Sequence, residues 1–146
     1  MIVQTIQLAL TPVFVLVAIG NILNILSTRL GRVVDRARIL QTMHEKTEGT
    51  DHDLVVREIR IIDKRITIIT QAIRIMVLSG LAIGSTVAVL LLEGLASFDL
   101  HVLAAATFLV SVVLLLYALI LFLRETQVAA EALRIPRDYL ELDREI

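Results

Sequence analysis

Three apolar runs limit what this chain can fold into more than any other feature. Ile6–Leu26, Ala72–Leu92 and Val102–Leu123 are each about twenty residues long, and Arg74 is the one charged side chain within them. A helix rises ~1.5 Å per residue, so about 20 residues cross a hydrocarbon layer ~30 Å thick. Three such helices in 146 residues leave too little polar chain to wrap them in a soluble shell. The composition agrees: 57% of residues are hydrophobic, against roughly 45–50% in soluble domains. The class expected is all-α integral membrane, one domain over 1–146, with spans at about 6–28, 72–92 and 101–123. A hairpin over 29–71 and a tail over 124–146 complete it, both in the cytoplasm.

Orientation follows from lysine and arginine. Of 14 such residues, ten lie between Arg29 and Arg74, and Arg124, Arg134, Arg137 and Arg144 follow the third run. None precedes the first run or falls in the short loop Glu93–Asp99, which contains Ser97. Basic residues stay on the cytoplasmic side, so the amino terminus is expected outside and the carboxyl terminus inside. The first run has no basic segment before it and no small-residue cleavage site followed by a polar start, so it reads as a retained helix.

The first run passes straight into "STRLGRVVDRARIL" without losing helical rhythm. Leu26, Leu30, Val33, Ala37, Leu40 and His44 step by four and three, as do Val55, Ile59, Ile62, Ile66, Ile69, Ile73 and Met76. Both are heptad-like apolar seams with charged residues between. Gly49 is a helix stop, and Thr50 with Asp53 reads as a capping box. The first two spans are therefore expected to continue beyond the membrane as an antiparallel coiled-coil hairpin. The alternative is a pair of amphipathic helices lying on the lipid surface. Ile59, Ile62, Ile66 and Ile69 exceed what two helices need, so a second copy of the chain is expected against them. Gly80 and Gly84, four apart in the second span, form a close-packing surface, with Ala104, Thr107, Ser111 and Ala118 of the third span as its complement.

A second stripe runs along the first helix: Gln7, Thr11, Phe14, Ala18, Asn21, Ile25, Thr28, Arg32 and Asp35. Intramembrane amides face protein or water, so the stripe is a candidate pore lining, constricted by Phe14 and Ile25. Its other reading is interhelical glue, worth about 1 kcal/mol per polar contact. Absent cysteine excludes disulfides and thiolate chemistry. A net charge of −1 argues against nucleic acid as a partner. No HExxH, GxSxG, P-loop or GxGxxG pattern is present, so no enzyme activity, cofactor or metal site is expected. His44 and His52 beside Glu45, Glu48, Asp51 and Asp53 read as a solvated acidic tip, and Glu93, Asp99 and His101 as a polar turn.

The segment "LALTPVFVLVAIGNILNILSTRLGRVVDRARIL" and the later "EIRIIDKRITII" resemble a family of small bacterial membrane proteins classed as a domain of unknown function. The resemblance covers most of the chain and implies a bacterial inner-membrane location, without supplying an activity. The leading functional expectation is a homo-oligomeric pore or ion channel lined by the first helix. The other is a membrane-anchored scaffold or regulator whose hairpin binds a cytosolic protein.

Overall fold

The computed structural model describes residues 2–96 and 99–132, with the side chains of 2–6, 8, 9 and 96 left undescribed. Three helices account for nearly all of it: α1 (Ile2–His44), α2 (Gly49–Ala96) and α3 (His101–Ala132). There is no strand among the described residues. At ~1.5 Å per residue the helices are about 65, 70 and 50 Å long. Each contains a stretch long and apolar enough to cross a membrane, and α1 and α2 run well beyond that length. Pro12 lies inside α1 without ending it. Proline forfeits one backbone donor, a loss tolerated in long apolar helices when neighbouring groups re-satisfy the carbonyl.

The turn between α1 and α2 is short. Lys46 N–H donates to Met43 O at 3.0 Å, and Gly49 takes φ +64°. That left-handed conformation costs a residue with a β-carbon about 1–2 kcal/mol and glycine little. Helix α2 begins at Gly49 itself, so the residue read as a stop is also the first of the return helix.

Burial follows a seven-residue spacing. In α1 the core residues are Ile19, Leu26, Val33 and Leu40; in α2 they are Val55, Ile62, Ile69, Met76 and Ile83. In α3, Ala104, Ser111, Ala118 and Glu125 keep the same interval. Leu26, Val33, Leu40, Val55, Ile62 and Ile69 meet in one cluster with Leu30, Ala37, Ile59, Ile66 and Ile73 around them. This is the apolar seam read from the sequence. Leu121 and Phe122 of α3 close the same cluster. Of the four isoleucines, Ile62 and Ile69 are buried within the chain and Ile59 and Ile66 partly so, with α3 supplying part of the cover.

Helix α2 is central: it packs along both α1 and α3, which scarcely meet each other. Its contact with α3 is polar in part. Ser79 and Ser111 each donate to the other's carbonyl oxygen, at 2.8 and 3.1 Å, and Thr86 donates to Thr107 Oγ1 at 2.9 Å. Four hydroxyls are thereby satisfied in an otherwise apolar region, where an unpaired one costs about 1–3 kcal/mol. Ala104, Ser111 and Ala118, read as one small-residue face, are buried. Gly80 turns toward α1, where an added methyl would stand 3.7 Å from Ile19 Cγ2, whereas Gly84 faces open space. Helix α3 continues through Arg124 to Ala132; the rest of the tail, including Pro136, and Ser97 lie outside the described residues.

Candidate functional site

Where the apolar stretches end, the three helices converge on one carboxylate. Glu125 of α3 is fully buried. Arg65 of α2 donates to its Oε1 through Nε at 3.0 Å and Nη2 at 2.9 Å. Arg29 of α1 approaches Oε2 through Nη2 at 3.3 Å. That contact is an ion pair without hydrogen-bond alignment, and Oε2 accepts no hydrogen bond from the protein. Arg29 is held by two further groups. Its Nη1 donates to Thr126 Oγ1 at 3.1 Å, and its guanidinium lies 5.1 Å from the centre of the Phe122 ring, within cation–π range. Direct contact between α1 and α3 is sparse, and this node supplies charged, directional contacts across it.

One helical turn and more along α1, Arg36 forms a two-pronged pair with Glu58 at 2.7 and 3.0 Å. Glu58's hydrogen bonds, and secondarily its charge, hold the Arg36 guanidinium above its ordinary range. Both side chains are nearly half exposed, so the pair fixes register more than it stabilises. Between these two pairs lies an open groove lined by Arg29, Arg32, Val33, Arg36, Ile62 and Arg65.

Sequence reasoning did not single out Glu125. A signal was present: Ala104, Ser111 and Ala118 are seven apart, and one more step of seven reaches Glu125. An acid in the register of buried small residues needs a cation facing it, and Arg29 and Arg65 stand at the matching height.

The stripe residues of α1 face away from the core, and Arg32 alone among them also lines the groove. Gln7, Thr11, Phe14, Ala18, Asn21, Ile25, Thr28, Arg32 and Asp35 are all exposed, with Phe14 at 70% and Ile25 at 51%. None belongs to either core cluster. Thr28 returns its hydroxyl to Asn24 O at 2.9 Å. Of the packing residues named above, Ile62 and Ile69 are buried, Ile59, Ile66 and Gly80 are half-buried and Gly84 is exposed. At the hairpin tip the rings of His44 and His52 sit 4.4 Å apart, and among the described residues no third metal-ligating side chain joins them. At the far end Glu93 Oε1 is 2.8 Å from His101 Nδ1.

The family described as "Protein of unknown function (DUF2721)" matches residues 9–135. That stretch includes all of the node, the groove and the stripe from Thr11 onward. No curated protein and no solved structure matches the chain. The chain belongs to the DUF2721 family.

Proposed function

We propose that this chain is a homo-oligomeric inner-membrane protein whose α1 stripes face one another around a wetted path for ions or small solutes. The amino terminus lies outside and the carboxyl terminus in the cytoplasm, as the lysine and arginine distribution favours. The observation that carries the reading is the exposure of the whole stripe, amides included. Asn21 lies about 12 Å from Arg29 along α1, inside the apolar length, yet it is exposed in the single chain. An amide turned to lipid tails loses its hydrogen bonds, so this face is better explained by contact with protein or water. Phe14 and Ile25 interrupt the polar positions and serve as apolar constrictions that gate by dewetting.

The constant seven-residue spacing of core positions supports a left-handed coiled-coil winding of the hairpin. A straight helix drifts by roughly 20° per heptad, so a strict seven-residue repeat needs supercoiling to stay on the seam. In this placement the arms project about 25–30 Å into the cytoplasm.

The test is flux through liposomes holding the purified full-length chain. Wild type conducts, Phe14→Ser and Ile25→Ser raise the leak, and Asn21→Leu lowers it. Val15→Ser, half-buried and off the stripe, changes little. Liposomes that stay ion-tight for wild type and every stripe variant, with the oligomer intact, refute the conduit.

One observation favours a second reading, a scaffold. Ile39, Met43 and Leu54 are exposed near the tip of the hairpin, far from the apolar spans, where exposed apolar side chains suit a cytosolic protein partner. If the liposomes are tight, crosslinking from Met43 to a cytosolic protein becomes the informative measurement.

A further inference from the structure

We propose that the groove between α1 and α2 binds the phosphate oxyanion of an anionic lipid headgroup. The inference rests on the membrane placement above, though not on the conduit. Four guanidiniums, from Arg29, Arg32, Arg36 and Arg65, line the groove, and Val33 and Ile62 form its apolar floor. No carboxylate lines it.

Donor accounting shows which arginines are free to bind. A guanidinium carries five N–H donors. Arg36 spends one N–H each of Nε and Nη2 on Glu58, leaving three donors, two on Nη1 and one on Nη2. Arg65 spends one N–H each of Nε and Nη2 on Glu125, likewise leaving three donors. Arg32 is exposed and makes no ion pair or hydrogen bond among the described residues, so its whole fork is unspent. Glu58 and Glu125 cancel two of the four charges and leave the site net positive by two. Their more important effect is positional: each holds an arginine rigidly beside the groove.

Size and depth fit the same ligand. The groove volume is about 200 Å³, well above the roughly 10–15 Å³ that a single water needs on the same measure. That admits a tetrahedral oxyanion, and the open side leaves room for lipid tails outside the groove. Arg29 follows the apolar part of α1 directly, and Arg65 and Glu125 share its height through the node. In the membrane placement this level falls within about 10 Å of the hydrocarbon edge, in the headgroup layer. The anionic cytoplasmic leaflet supplies phosphates there, and arginine forks match phosphate oxygens in geometry as well as charge.

The experiment compares retention of phosphatidylglycerol and phosphatidylcholine, with matched acyl chains, by the full-length chain in detergent, read by native mass spectrometry. Wild type is expected to keep phosphatidylglycerol in preference. Arg32→Ala should weaken that retention about fivefold, the equivalent of about 1 kcal/mol per interfacial arginine. Arg57→Ala removes the same charge about 12 Å farther along α2 and should leave retention unchanged. Inorganic phosphate, titrated against the lipid-bound chain and against the lipid-free chain, separates the sources. Competition only at high concentration assigns the site to the headgroup, and tight binding without lipid assigns it to a soluble phosphate. Equal retention of the two lipids without phosphate binding, or equal effects of Arg32→Ala and Arg57→Ala with helix content preserved, overturns the site. A chain released from membranes by alkaline washing refutes the membrane placement instead, and the phosphate titration then decides the groove alone.

Discussion

Removing the Glu125 carboxylate tests the node. Opposite unit charges about 3 Å apart attract by roughly 5–6 kcal/mol at an effective dielectric of ~20. Much of that gross figure is offset by desolvation of the carboxylate, which is fully buried. The two arginines are not: the Arg65 side chain is 19% exposed and that of Arg29 29%. Glu125→Ala would leave two partly sheltered cations facing each other. Breaking a buried pair from one side costs about 3–5 kcal/mol, and partial exposure lowers the expectation to about 2–4 kcal/mol. Glu125→Gln keeps an acceptor for Arg65 and loses the charge, so about 1–2 kcal/mol is expected. Replacing Glu125 and Arg65 together with apolar residues, Glu125→Leu with Arg65→Met, should recover part of the loss, because only Arg29 then lacks its carboxylate and its side chain is 29% exposed. The assay is denaturant-induced unfolding in mixed micelles, followed by helix circular dichroism, with a double-mutant cycle over Arg65 and Glu125. A coupling energy below about 0.5 kcal/mol would show that the node does not tie α3 to its neighbours.

Three further outcomes are expected. Gly94→Cys should react with an impermeant thiol reagent on intact cells and Glu48→Cys should not; since the chain has no cysteine of its own, labelling of Glu48→Cys from outside would reverse the topology. Leu40→Ala, at a fully buried seam position, should cost about 2–5 kcal/mol in the same unfolding assay, whereas Ile39→Ala, one residue away and exposed, should cost little. Gly49→Ala should cost about 1–2 kcal/mol from backbone strain alone, since nothing lies within 4 Å of the added methyl; a neutral result would mean that the turn relaxes to another conformation.

Helix existence and the paired seams were legible because each rests on a period. A seven-residue interval repeats through Leu26, Val33 and Leu40 and again through Val55, Ile62 and Ile69, and burial obeys it. What packs on the isoleucines was not legible, because a seam says which face is covered without naming the cover. Leu121 and Phe122 of α3 supply part of it, and they sit in a run so uniformly apolar that no face stands out. Glu125 was hidden for a related reason. Beside Arg124, Thr126 and Gln127 it looks like ordinary solvated sequence, and only the register carried over from Ala104, Ser111 and Ala118 marks it as inward. Gly80 and Gly84 show the same limit: both satisfy one small-residue spacing, yet one meets α1 and the other meets nothing in this chain.

The change in α1 from an apolar helix to an arginine-rich one follows from residues seven apart sharing a face. Its inward face, Ile19, Leu26, Val33 and Leu40, stays apolar throughout because α2 covers it at every level. Along one edge the sequence reads Ile22, Arg29, Arg36: the first packs with the core, the second reaches Glu125 and the third Glu58. The same edge is apolar in one stretch and charged in the next, which fits a surrounding solvent that changes from lipid to water while the packing partner does not. Arg32 belongs to the outward stripe and also lines the groove, so the two proposed features share one residue. A phosphate held there would neutralise a positive charge at the inner end of the stripe. If both proposals hold, bound anionic lipid alters the mouth of the conduit directly, and flux depends on lipid charge in wild type but not in Arg32→Ala. If the groove binds phosphate and the stripe merely packs, the same lipid titration changes retention and leaves flux at background.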